Sequence, residues 1–421
     1  MRSILVLFLL ISISCSQPLP KQISDPLVLD QLNKFIETQD YFKLRDSFLK
    51  QGEKLTQEHR LYYEAIIQNL FNELSESNDR IEELLQLETR QLSDTMLNKL
   101  YRTKLLNHIN LYQYEKAKKV SEHILNNYRQ LNDSSDIEMM ENELNIWESL
   151  ENIPAQVIVK SEDASFPMTT DKVGLFNIDV SINKATKNFI FDTGANISVI
   201  KRSLVEELGL TFIESDFFVT AFTGTKVDSD LAVANELRIG NLIFKNVVFL
   251  VLNDADVSFP QIDYYINGII GFPVIEAMEE IRITKDNTIF TPKTPVDYGQ
   301  FNFALDGLTP IIAVQYQKDT LSFGFDTGAR STSLYAPFYR KYKNEVDRKY
   351  KPTTFNSGSA GGVVAFEGYL MDSIQLKIGK SEAVLKNIQL HKENIKTDVS
   401  NFYGNLGQDF IKQFDLMIVF F

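Results

Sequence analysis

The chain has 421 residues, enough for two or three domains, and its 44% hydrophobic and 24% charged content is that of a folded soluble protein. A formal net charge of -13 argues against nucleic acid as a partner, because phosphate binding needs a basic patch. The lone Cys15 leaves no intramolecular disulfide, and His59, His108, His123 and His391 show no ligand spacing, so no metal or other cofactor is expected.

The first element is a leader, "MRSILVLFLLISISC". Arg2 precedes an unbroken apolar run from Ile4 to Ile11, too short to span a bilayer. Small residues Ser12 and Ser14 precede Cys15, so residues 1–15 resemble a bacterial lipoprotein signal. The resemblance implies lipidation of Cys15 and anchoring to a bacterial membrane, facing the periplasm or the cell surface. An ordinary cleaved leader with an incidental cysteine is the alternative.

Residues 24–150 are expected to be helical. Only Gly52 of the 19 glycines lies before residue 170, and no proline occurs between Pro26 and Pro154. Asp25-Pro26 reads as a helix start, with Leu29, Leu32, Phe35 and Ile36 following at helical spacing. Apolar residues recur likewise in 41–49, 59–71, 80–87, 96–112, 114–128 and 137–150. Short polar breaks between them predict antiparallel helix pairs, each burying its stripe against a neighbour. "QYEKAKKVSEHIL" resembles the second helix of a tetratricopeptide repeat, and a plain bundle is the alternative. This part carries no chemistry. Docking of a protein partner, self-assembly or covering the following region are its candidate roles.

After residue 160 short β-rich runs separated by turns predict an all-β region. Its run order occurs twice, over 161–292 and 296–421. "NFIFDTGA" is matched by "LSFGFDTGA", which begin the two copies of an Asp-Thr-Gly triplet at Asp192 and Asp326. A Gly-containing segment follows each at the same interval, "AFTGTK" with Thr223 and Gly224, then "NSGSAGG" with Ser357 and Gly358. "GIIGFPVIEAM" and "GNLGQDFIKQF" complete the copies, with Gly271 and Gly407 in matching positions. One such triplet is weak evidence. Two with matched followers indicate a duplicated unit.

The pattern resembles the retropepsin-like and pepsin-like aspartic proteases. The resemblance implies two related β lobes, each giving one catalytic aspartate, Asp192 and Asp326, to a shared cleft. It implies a polypeptide substrate and competence as a single chain. Two carboxyl groups held close cannot both ionise cheaply, so one keeps a proton. The ionised one can then activate a water while the other donates, with no covalent intermediate. Gly194 and Gly328 are expected to give the tight turn, and Thr193 and Thr327 to tie the two loops together. Gly271 and Gly407 are expected to let a segment pass beneath each loop. The segments around Thr223-Gly224 and Ser357-Gly358 are flap candidates, closing over the cleft.

Ala195 and Ala329 stand where pepsin-like members carry a hydroxyl that bonds the carboxylate. Its loss predicts activity at mildly acidic to neutral pH. Asn196 and Arg330 differ between the copies, and Arg330 is expected to face solvent. The leading reading is an aspartic endopeptidase. The alternative is a peptide-binding module that keeps the cleft and has little or no turnover.

Overall fold

The computed structural model describes residues 23–87, 92–220, 226–296, 298–299, 302–359, 362–394 and 401–421. The leader with Cys15, and the flap candidates Thr223 and Gly224, lie outside the described residues.

Helices come first: α1 Pro26–Glu37, α2 Tyr41–Gln51, α3 Gln57–Leu70, α4 Leu74–Gln86, α5 Asp94–Asn110, α6 Tyr114–Asn127 and α7 Ser134–Leu150. Their starts follow local chemistry. Asp25 accepts from the Leu27 amide at 2.9 Å, with Pro26 in the first turn, where its missing N–H costs nothing. Thr56, Ser93 and Asp133 cap α3, α5 and α7 in the same way. The turns between α1 and α2, α3 and α4, and α5 and α6 each hold one residue in the left-handed region, Gln39, Asn72 and Tyr112. Buried amides fix how the hairpins sit on one another. Asn69 Nδ2 donates to Asn107 Oδ1 at 2.8 Å, and Asn107 Nδ2 to Ser77 Oγ at 2.8 Å.

The β-rich part forms two lobes with one plan. In lobe 1 the hairpin Phe176–Ile182 with Ala185–Phe191 carries the first triplet at its end. In lobe 2 the hairpin Thr309–Tyr316 with Asp319–Phe325 carries the second. Lobe 1's sheet also takes in Val157–Val159, which pairs with Leu242–Leu252, so it begins before residue 161. A four-stranded sheet joins the lobes, in the order Ala164–Pro167, Thr288–Thr291, Glu280–Thr284, Leu416–Phe420. The C-terminal strand of lobe 2 there pairs antiparallel with lobe 1, Arg282 opposite Ile418.

The helical part docks on both lobes through its hairpin turns. Gln39 Nε2 and Tyr41 Oη donate to Asp306 at 2.9 and 2.7 Å, on lobe 2. Asn72 Nδ2 donates to Glu276 at 2.9 Å, and Tyr112 Oη to the Pro273 carbonyl at 2.9 Å, on lobe 1. One apolar core unites α1–α5 residues such as Leu32, Tyr63 and Leu100 with Ala304, Ile311 and Phe402 of lobe 2. Another unites Trp147 and Ile124 with Val199, Phe217 and Leu250 of lobe 1. The architecture is helical residues 26–150 followed by a large two-lobed β region, as the composition break predicts.

Candidate active site

Each triplet closes a strand and turns back. The short strands Gly268–Ile270 and Gly404–Leu406 lie parallel to the triplet strands and antiparallel to Ser198–Lys201 and Ser333–Leu334, the strands that follow the turns. The aspartate amides are therefore fixed: Asp192 N–H donates to Ile270 O at 3.0 Å, and Asp326 N–H to Leu406 O at 3.0 Å.

Gly271 and Gly407 follow the short strands, and both positions exclude a side chain. A Cβ on Gly271 would come within 2.6 Å of the Ala195 carbonyl, and one on Gly407 within 2.6 Å of the Ser331 backbone. The segment thus passes against the loop, where Phe272 N–H donates to Ala195 O at 2.8 Å and Gln408 N–H to Ala329 O at 2.9 Å. Sequence reasoning passed over four supporting residues. Ser198 and Thr332 accept from the Gly271 and Gly407 amides at 3.0 and 3.1 Å, and Gly268 and Gly404 make room for the Phe189 and Phe323 rings. Their signal was the matched spacing in "DTGANIS" and "DTGARST", and the first glycine in each G-x-x-G.

The two loops meet at the threonines, both fully buried. Thr193 Oγ1 donates to Phe325 O at 2.8 Å and accepts from the Thr327 amide at 3.0 Å. Thr327 Oγ1 returns the pattern, donating to Phe191 O at 2.8 Å and accepting from the Thr193 amide at 3.0 Å. Each hydroxyl thus satisfies backbone groups of the opposite lobe that burial would otherwise leave unpaired.

This lock brings the carboxyl groups face to face. A Cβ on Gly194 would sit 2.8 Å from the Asp326 carboxyl carbon, and one on Gly328 would overlap the Asp192 carboxyl. The glycines are therefore the floor on which the facing lobe's carboxyl rests. Gly194 N–H donates to Asp192 Oδ1 at 2.8 Å, and Ala329 N–H to Asp326 Oδ1 at 2.9 Å. Burial first, and then the charge of Asp326, hold the Asp192 carboxyl well above the usual carboxylate range.

Ala195 and Ala329 supply no side-chain donor, in line with their chemistry. Lobe 2 nevertheless has one from elsewhere, since Asn405 Nδ2 donates to Asp326 Oδ2 at 2.8 Å. On the Asp326 side an amide outside the triplet thus stands in for the hydroxyl that Ala329 lacks. Arg330 is exposed, its stem lying where a Cβ on Gly174 of lobe 1 would touch it at 3.2 Å.

The flap candidates fall on long hairpins. In lobe 1, Thr211–Thr220 pairs with Lys226–Ile239. Its outer strand rests on α7, where the Asn142 amide donates to Phe218 O and accepts from Phe218 N–H, both at 2.9 Å. In lobe 2, Ser357 and Gly358 lie within the strand Pro352–Ser359, opposite Val364 and Val363 of Gly362–Ile378. They are strand residues near the tip and not the loop that the glycines suggest. Among the described residues no cluster of His, Cys, Asp and Glu could hold a metal ion.

No curated protein matches the chain. Among solved structures it is similar to a retropepsin-like aspartic protease from Rickettsia conorii, at 18% identity and a TM-score of 0.21, over 32% of this chain and 90% of that one. Residues 178–274 match a family model described as Aspartyl protease. The segment that carries Asp192, from its hairpin to the short helix after Gly271, is therefore similar in sequence to aspartyl proteases.

Proposed function

We propose that the chain is an aspartic endopeptidase. The observation that carries this reading is the pair of facing carboxyls, Asp192 and Asp326, held by the reciprocal threonine bonds of two lobes. With Asp192 pushed up, the pair holds one proton and one charge over a wide range of pH. The ionised carboxylate takes a proton from a water as it attacks the peptide carbonyl carbon. The protonated one donates to the carbonyl oxygen, giving a neutral tetrahedral diol. Its collapse passes a proton to the departing nitrogen and breaks the C–N bond. Both carboxyls belong to one polypeptide, so a monomer suffices. The working range is mildly acidic to neutral.

Hydrolysis of an unfolded protein by the wild-type chain, Asp192→Asn and Asp326→Asn, across pH 3 to 8 on the order of one-unit steps, tests the reading. Cleavage by wild type alone supports it. Absence of cleavage at every pH, with peptide binding intact, would leave the peptide-binding module as the better account.

Two further parts of the reading concern the N-terminal half. Cys15 is taken as a lipid anchor that holds the chain outside the cytoplasm of a bacterium. Incorporation of labelled palmitate into wild type and not Cys15→Ala supports this, and equal labelling contradicts it. The helix hairpins are taken as a tetratricopeptide-like array, whose surface away from the lobes is free to take a protein partner.

A further inference from the structure

We propose that Asn405 breaks the symmetry of the aspartate pair, fixing the negative charge on Asp326 and leaving the shared proton on Asp192. The inference rests on the reading of the pair as a general acid and base. Asp326 is then the group that takes the proton from water, and Asp192 the one that donates to the carbonyl oxygen.

At one pair of facing positions beside the triplets the two lobes differ in polarity. In lobe 1, Ile269 lies beside Ile190 in the parallel ladder. In lobe 2 the same positions hold Asn405 beside Gly324. A Cβ on Gly324 would come within 2.5 Å of Asn405 Oδ1, so the glycine makes the space in which the amide sits. From there Nδ2 donates to Asp326 Oδ2 at 2.8 Å, the oxygen that the Ala329 amide leaves unbonded. An ionised carboxylate is purely an acceptor, and a donor to it favours the ionised form. Asp192 takes bonds from the backbone of Gly194 and Ala195 and shares one with the Asp326 side chain, which favours its protonated form. The isoleucine that replaces the amide in lobe 1 can give it nothing.

Of the charged groups around Asp326, only Asp192 faces it among the described residues, across the loops. Arg330, in its own loop, is exposed beside Gly174. On the short helix that follows Gly407, Asp409 accepts from the Thr332 amide and hydroxyl at 2.7 Å. Lys412, after it, lies over the Phe176 ring at 4.6 Å. Burial and the neighbouring charge keep Asp192 protonated to higher pH, in the same sense.

The test is the pH profile of kcat/KM for wild type, Asn405→Leu, and Gly324→Ile with Asn405→Ile, which copies the pair that lobe 1 already uses. In both variants the acid limb should rise by about one pH unit, so activity below the limb falls roughly tenfold. The basic limb, where Asp192 loses its proton, should stay in place. The converse graft, Ile190→Gly with Ile269→Asn, should lower the basic limb and leave the acid limb. A drop in rate at every pH with both limbs unmoved is what a merely structural asparagine would give, and it overturns the proposal. Carboxyl 13C NMR on the wild-type chain, with Asp192→Asn and Asp326→Asn for assignment, answers the question even where a variant does not fold. Asp326 should ionise at the lower pH, and the reverse order overturns the proposal. Because this readout needs no turnover, the order can hold in a chain that cleaves nothing, which would refute the proposed function alone.

Discussion

Thr193 and Thr327 together make four hydrogen bonds between the lobes, each in a fully buried setting. Thr193→Val keeps the shape and removes the hydroxyl, leaving the Thr327 N–H and the Phe325 carbonyl unpaired. The expected cost is about 2–4 kcal/mol, read by chemical denaturation. A loss below about 0.5 kcal/mol would mean that the lock adds little. Gly328→Ala should fold and yet lose activity, because its Cβ would overlap the Asp192 carboxyl. Wild-type rates from that variant would show that the carboxyl has room to move. The aspartates, threonines and loop glycines were legible because each occurs twice in a matched frame. Asn405 was not, since its role depends on lying beside Gly324 in a ladder between segments far apart in sequence.

Among the elements, the lobe 2 strand Ser381–His391, which pairs with Gly362–Ile378, carries a pH-sensitive feature. His391 is buried among the rings of Tyr335, Phe355 and Phe366, and burial pushes its imidazole down to about 4. The unfolded chain takes up a proton near its ordinary value, so it binds more protons than the folded one between these limits. Stability is therefore full above about pH 6.5 and is lost as pH falls toward 4, by about 3 kcal/mol in all. Melting temperature against pH should fall over this window in wild type and stay flatter in His391→Phe. Parallel curves would contradict the assignment. Helix starts were legible, because caps such as Asp25 act on their own first turn. The strand position of Ser357 and Gly358 was not, because a glycine cluster marks a hairpin without fixing where its turn begins.

At the scale of the whole molecule, the helical part is built into the β region. Removing residues 1–150 would uncover Ala304, Ile311 and Phe402 on lobe 2, and Val199, Phe217 and Leu250 on lobe 1. It would also free the Phe218 backbone that Asn142 holds. The truncated chain should aggregate or melt at a markedly lower temperature, and an unchanged melt would show the two parts to be independent. The boundary between the parts was legible from glycine and proline usage. Their packing was not, because hydrogen bonds such as Asn72 to Glu276 leave no local pattern. The central claim is that two lobes build one site. Calorimetric titration with a peptide carrying a secondary alcohol in place of the scissile amide, a mimic of the tetrahedral intermediate, tests it directly. One mimic should bind per chain, and either Asp192→Asn or Asp326→Asn alone should weaken it at least roughly a hundredfold. Two mimics per chain, or full affinity in either variant, would contradict it.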